Sequence, residues 1–359
     1  MHDEHQAPER AASQGTAPHR KTLTRHTIES EHRHPGSTGD FSGLLNAVAT
    51  AVKIISNQVG RGALAGPQPL GVISGEVMIG ETEWTGPVAA IASAGMADIY
   101  PVTGPGQQGK YLLLFDPLDG PGSTDANTPV GTIFSILRSP DPAVPPQAGH
   151  FLQPGASQVC AGFALYGPST MLILSTGDGV DGFTLDRDIG AFVLTHPQLR
   201  IPEETSEFAI NASNERFWEP PVRRYIQECL AGRSGPRGRD FTMRWVASLA
   251  AETYRILTRG GVFLYPDDTR DPAASGRLRL LHECNPVAFL IEQAGGAAST
   301  GRERVLDIQP ASLHQRGPLI FGSRSEVDRV ARYHREHGTP PEPAYDDSLF
   351  NTRSLFRIP

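Results

Sequence analysis

The sequence predicts a mixed α/β fold, and three observations carry that prediction. Residues 111–115 form a short apolar run that reads as a buried strand, and residues 130–137 resume the pattern after a glycine turn. Phe41, Leu44, Leu45, Val48, Val52, Ile55 and Val59 recur at helical spacing. In the second half, strand-like and helix-like stretches alternate.

Composition bounds the class. The chain has 359 residues, 38% of them hydrophobic, enough for a large core in two domains or one layered unit. A net charge of −7 argues against a nucleic-acid partner. No apolar run reaches membrane-spanning length, and the N-terminus lacks the apolar core of a secretory signal. Three cysteines, Cys160, Cys229 and Cys284, with no CxxC pair, point to thiols in a reducing cytoplasm.

Taken in order, residues 1–21 read as a disordered tail rich in polar and charged residues. Six of the 12 histidines precede residue 35 and read as solvated side chains. The helix over 41–59 is expected to be capped by Thr38 or Asp40 and ended by Gly60 and Gly62. Its preceding loop, residues 36–42, can offer free N–H groups to an anion. The strand over 111–115 ends on Asp116 and Asp119, followed by a turn at Gly120, Pro121 and Gly122. Carboxylates at a strand end suit Mg²⁺, and the amides of such a turn can hold phosphate. Residues 160–197 read as strands with turns at Gly177-Asp178-Gly179 and Asp181-Gly182. Glu219-Pro220-Pro221 opens a helix bearing Val222, Tyr225, Ile226 and Leu230. Val246, Leu249, Ala250, Thr253, Ile256 and Leu257 define another, stopped by Gly260-Gly261, and a strand follows over 262–265. Asn285-Pro286 reads as an N-cap and first-turn proline of a helix ending at Gly295-Gly296.

The stretches Lys110-Tyr111, Phe115-Asp116-Pro117-Leu118-Asp119-Gly120 and Val130-Gly131-Thr132-Ile133-Phe134-Ser135-Ile136 resemble the signature of class I fructose-1,6-bisphosphatases, within the lithium-sensitive sugar and inositol phosphatases. The resemblance runs from about Thr22 to the end of the chain. It implies a layered α-β-α-β-α sandwich, with an N-terminal domain over 22–200, a C-terminal substrate domain over 201–335 and an extension over 336–359. It implies a Mg²⁺ site, with Mn²⁺ as an alternative, at Asp116, the Leu118 carbonyl, Asp119 and Glu283. Substrate would meet Asp119, Gly120, Pro121, Gly122, Asn211, Tyr265 and Arg277, and Arg244 would reach the neighbouring subunit's site. Thr38, Gly39, Ser42, Lys110, Tyr111 and Arg138 match the family's AMP-regulatory site. The family assembles as dimers and tetramers. The implied activity is hydrolysis of fructose 1,6-bisphosphate to fructose 6-phosphate, in gluconeogenesis or the Calvin cycle.

The sequence also departs from that pattern. Gly71 stands where the family has an acid, and Ala94 and Gly95 replace two glutamates, one a metal ligand and one that helps activate water. The loop before Pro69 is shortened, and Pro121 removes a turn N–H. Glu76, Glu81, Glu83 and Asp98 are nearby acids out of register. With the expected acids replaced at Gly71, Ala94 and Gly95, the sequence assigns no catalytic residue. The leading function is a metal-dependent bisphosphatase; the alternative is a catalytically impaired paralogue that binds sugar phosphate or regulates. An inositol-phosphatase-like enzyme is a third reading, opposed by His282-Glu283-Cys284-Asn285-Pro286.

Overall fold

The computed structural model describes residues 20–31, 39–102, 109–120, 126–270 and 276–338. Most of the N-terminal tail, Thr38, Pro121, Gly122 and nearly all of the C-terminal extension lie outside the described residues.

Three helices come first: α1 (Leu23–Glu31), α2 (Asp40–Arg61) and α3 (Leu70–Thr82). Eight strands follow: β1 (Val88–Ser93), β2 (Tyr100–Pro101), β3 (Tyr111–Asp119), β4 (Val130–Arg138), β5 (Cys160–Tyr166), β6 (Thr170–Ser175), β7 (Asp181–Asp186) and β8 (Ala191–His196). They form one sheet in the order β2-β1-β3-β4-β5-β6-β7-β8, antiparallel except for β1 beside β3. The second half runs β9 (Glu207–Ile210), α4 (Pro220–Leu230), β10 (Thr242–Met243), α5 (Leu249–Arg259), β11 (Val262–Tyr265), β12 (Leu278–Arg279), α6 (Asn285–Gln293), β13 (Ala297–Ser299), β14 (Arg316–Gly317), β15 (Leu319–Gly322) and α7 (Arg324–Gly338). Its sheet has the order β10-β9-β11-β15-β13, and β12 pairs with β14.

The layers follow from where apolar faces are buried. Leu44, Val48, Val52 and Ile55 of α2 pack on Leu113, Phe115 and Phe134 of the large sheet. On its other face, Ile133 and Phe163 meet Leu249, Ile256, Val287 and Ile291 of α5 and α6, which also cover Phe263 and Phe321 of the small sheet. Val222 and Ile226 of α4 and Val327 and Val330 of α7 cover that sheet's outer side. The result is the α-β-α-β-α sandwich. Among the described residues no helix is long and apolar enough to cross a membrane.

Three local expectations are corrected. Asp40 does not cap α2: Gly39, in the left-handed region at φ 76°, holds the cap position, and the Asp40 carboxylate pairs with Lys110 instead. Val246 lies outside its helix and is exposed, because Ser248 caps α5. Asn285 is no N-cap, because a single π-helical turn, Leu280–Cys284, runs straight into α6 and leaves no free helix start there.

Candidate active site

The site forms where β3 meets the first turn of α5. In a regular strand, residues three apart point to opposite faces. Here the β3–β4 ladder shifts register between Asp116, which pairs with Ile133, and Asp119, which pairs with Gly131. This bulge re-phases the strand so that both carboxylates leave the same face. Pro117 sits inside the bulge, where a missing N–H is tolerated, and its carbonyl accepts from Thr132 Oγ1 (2.9 Å).

Gly131 lets α5 approach. A Cβ there would stand 2.4 Å from the Ala250 Cβ and 2.6 Å from the Ala164 carbonyl oxygen. With no side chain in the way, Ser248 Oγ and the Ala250 amide both donate to Asp119 Oδ2 at 2.9 Å. Glu283, buried in the π-helical turn, accepts from the Arg279 amide (2.6 Å).

Burial is the leading cause of the carboxyl shifts. It raises Asp116, Asp119 to about 6 and Glu283 to about 8. The Asp116 charge reinforces the shifts at Asp119 and Glu283, and Asp119 reinforces that at Glu283, so the three acids share one field. Amides oppose it: Leu118 at Asp116, Ala250 at Asp119 and Arg279 at Glu283. The positive charge of Arg279 also favours ionised Asp116 and Glu283.

This donor set fits a hard divalent cation in its chemistry: all-oxygen, buried and mutually repelling. It does not stand assembled. Among the described residues no group of three or more His, Cys, Asp or Glu is arranged to hold a metal ion. The expected ligands Asp119 and Glu283 each give an oxygen to protein donors instead. His282, beside Glu283, is fully buried and stacks on His314 at 5.6 Å, and neither of its ring nitrogens has a hydrogen-bond partner. Burial pushes it down to about 3.

The substrate-side residues divide. Asn211 and Tyr265 line one notch with Asn214, Trp218 and Asp268. Asn211 Oδ1 accepts from the Ser213 amide (3.1 Å) and hydroxyl (2.6 Å), which leaves its amide nitrogen as the donor for an incoming oxygen. Arg277 does not line the notch; its Nη2 stands 3.9 Å from the Oδ2 of Asp268, which does. Arg244 is not among the lining residues; its guanidinium turns to Glu207 (3.4 Å). Gly120, at φ 74°, makes the sharp exit from β3.

Two of the three degenerate positions, Gly71 and Gly95, have room but no acid. A Cβ on Gly71, in α3, meets nothing within 4 Å, and one on Gly95 meets only Ser93 Oγ at 3.9 Å. Neither glycine has a positive φ, so neither is required by the backbone. Ala94 is buried. Glu76 accepts from Gln68 (3.1 Å), Glu83 from the Tyr100 hydroxyl (2.6 Å) and Asp98 from the Ile99 amide (2.8 Å). These three acids are engaged elsewhere.

Gly39, Ser42, Lys110, Tyr111 and Arg138 gather at the start of α2. Phe41 packs on Tyr111 (5.7 Å), and Arg138 lies over the Tyr111 ring (5.9 Å). The Ser42 amide is taken by Glu31 Oε1 (3.2 Å).

Sequence reading missed Ser248, Gly131, Arg279 and Asp268 as members of the site. The first had a signal, a serine before an apolar helical stripe. Arg279 stands two residues after Arg277 in Gly276-Arg277-Leu278-Arg279. Nothing in the sequence marks the contact that Gly131 permits.

Comparison with known proteins gives a consistent result. Residues 21–197 match the model for the fructose-1-6-bisphosphatase N-terminal domain, and residues 201–335 that for the C-terminal domain. The chain is 53% identical over 354 residues to a class 1 fructose-1,6-bisphosphatase of Hydrogenophilus thermoluteolus, covering 94% of this chain and 98% of that protein. It is 53% identical over 351 residues to a second, from Methylibium petroleiphilum, with the same coverage. The holo crystal structure of Leishmania major fructose-1,6-bisphosphatase superposes with a TM-score of 0.82 at 35% identity, covering 88% of this chain and 99% of that one. The bulged Asp-Pro-Leu-Asp strand and the layered fold thus sit in a chain that belongs to the fructose-1,6-bisphosphatase family.

Proposed function

We propose that this chain is a metal-dependent sugar-bisphosphate phosphatase that hydrolyses fructose 1,6-bisphosphate to fructose 6-phosphate and phosphate. The observation that carries the reading is the bulge that turns Asp116 and Asp119 to one face, with Glu283 in their field. Asp116, Asp119, Glu283 and the Leu118 carbonyl would hold Mg²⁺ or Mn²⁺, and the chemistry a bound ion supplies there is neutralisation of phosphate charge and a lowered pKa of a water. The protein's own part is positioning, on which phosphoryl transfer chiefly relies. Ser248 and the α5 amides hold Asp119, and the Arg279 amide holds Glu283; Asn211 and Tyr265 of the notch, with Arg277 beside it, would meet the sugar and the phosphate that stays. Gly120, at the exit of β3, would face the phosphate that leaves.

A second reading is favoured by Gly71, Ala94 and Gly95. With Glu76, Glu83 and Asp98 engaged elsewhere, the chain holds sugar phosphate but turns it over poorly, as a binding or regulatory paralogue. Three buried, unpaired cysteines suit a reducing cytoplasm, and the family's dimers and tetramers are the assembly expected.

Purified chain incubated with Mg²⁺ and fructose 1,6-bisphosphate tests both. Release of one phosphate with fructose 6-phosphate left behind supports the enzyme. Calorimetric binding without release supports the paralogue, and the absence of both release and binding overturns both readings.

A further inference from the structure

Asp268 lines the same notch as Asn211, Asn214 and Tyr265, and two arginines that stand outside the lining converge on its carboxylate. Arg270 donates to Asp268 Oδ2 through Nε (2.9 Å) and through Nη2, and its amide donates to Oδ1 (3.0 Å). Arg277 Nη2 stands 3.9 Å from the same Oδ2. The Arg270 guanidinium also lies over the Phe217 ring at 4.8 Å. The described residues on this stretch are anchored: Asp268 bridges to Trp218, the Thr269 amide donates to the Phe217 carbonyl (3.0 Å), and the Gly276 amide to Asp267 (2.6 Å). Arg279, two residues beyond Arg277, acts on Asp116 and Glu283. Guanidinium groups thus extend from the acids to the notch.

We infer that Arg270, oriented by Asp268, is a second cationic ligand beside Arg277 for the phosphate that stays on the sugar. The inference rests on the sugar-bisphosphate reading above. Arg270 gives Asp268 only one edge of its guanidinium, so N–H donors remain for an oxyanion. A guanidinium already held by a carboxylate and an aromatic ring loses little freedom when it binds. Asp268 is the positioning residue; Arg270 is the ligand.

Calorimetric titration of the full chain tests this, using fructose 1,6-bisphosphate, fructose 6-phosphate and fructose 1-phosphate. Arg270→Ala is expected to weaken binding of the first two about tenfold, the scale of one charge-assisted contact, and to leave fructose 1-phosphate unchanged. Arg270→Lys recovers part of the loss. Asp268→Asn also weakens binding of the first two, despite removing a negative charge beside the phosphate, because the guanidinium loses its charge-assisted hold. A thermal midpoint equal to that of the unaltered chain shows that each variant folds. Equal effects of Arg270→Ala on all three sugars, or none on any, overturn the inference alone. Tighter binding by Asp268→Asn overturns the positioning role. Failure of the unaltered chain to bind any of the three overturns the sugar-bisphosphate reading and this inference with it.

Discussion

The Ser248 hydroxyl donates to the buried carboxylate of Asp119 at 2.9 Å, and its oxygen accepts the Ala251 amide at 3.3 Å. One side chain therefore caps α5 and fixes an acid of the site. Ser248→Ala loses both bonds and leaves Asp119 with one donor fewer. We expect a loss of about 1–3 kcal/mol in denaturant unfolding, with Ser248→Thr close to the unaltered chain. An Ala variant of full stability would show that the Ala250 amide alone suffices.

Mn²⁺ binding is expected to depend on Asp119. Calorimetric titration with sugar phosphate present should show a bound ion in the unaltered chain and none in Asp119→Ala. Unchanged binding in the variant places the ion elsewhere.

Turnover is expected to be slow, and restoring acids should raise it. Gly71 and Gly95 have ordinary backbone and open space. Recovering a lost general base is worth roughly 10²–10⁴-fold, so Gly71→Asp with Ala94→Glu and Gly95→Glu should raise phosphate release by that order. Release from the unaltered chain at ~1–10³ per second, the ordinary enzyme range, would mean that other groups already do this work.

Gly131→Ala should be severe for so small a change. The new methyl would press on Ala250 and the Ala164 carbonyl, at a cost of about 1–3 kcal/mol. Because Ala250 carries one of the amides that hold Asp119, Mn²⁺ affinity should fall together with the unfolding midpoint. A fall in stability alone would uncouple α5 from the acids.

Acid should weaken the fold through His282. Its folded pKa, about 3, lies below its ordinary value of 6.5. Below pH 6.5 the unfolded chain takes a proton that the folded chain refuses. The contribution of this histidine is therefore full above that pH and falls as pH drops toward the folded value, by up to about 1.4 kcal/mol per unit. Burial lowers His334 as well, which adds in the same direction. Glu283 and Asp119, raised by burial, act in the opposite direction over the same range, so the signature is relative: from pH 7.5 to 5.5 the urea midpoint of the unaltered chain should fall against that of His282→Phe, and an equal change in both would remove His282 as the cause.

Much of the fold was legible in the sequence where apolar periodicity is strong, as in α2, β3 and β4. Neither α1 nor α3 stood out. The sequence of α1 is mostly polar, and in α3 the residues Leu70, Val72, Ile73, Val77, Met78 and Ile79 spread around the helix instead of forming one stripe. The acids Asp116, Asp119 and Glu283 were legible as types and positions. Their common face was not, because a bulge is a property of two strands in register. Ser248, Arg279 and Asp268 act through contacts distant in sequence, which no local pattern encodes. The Asp40 cap failed because Lys110, 70 residues away, claims its carboxylate.

The shared middle layer has a consequence for how the chain unfolds. Since α5 and α6 pack at once on Ile133 and Phe163 of one sheet and on Phe263 and Phe321 of the other, neither sheet can shed that layer without exposing its own inner face. The two halves are thereby bound into one cooperative unit. A fragment ending near residue 200 would carry a bare apolar sheet into water, prone to self-association, and denaturant should melt the intact chain in a single transition instead of two.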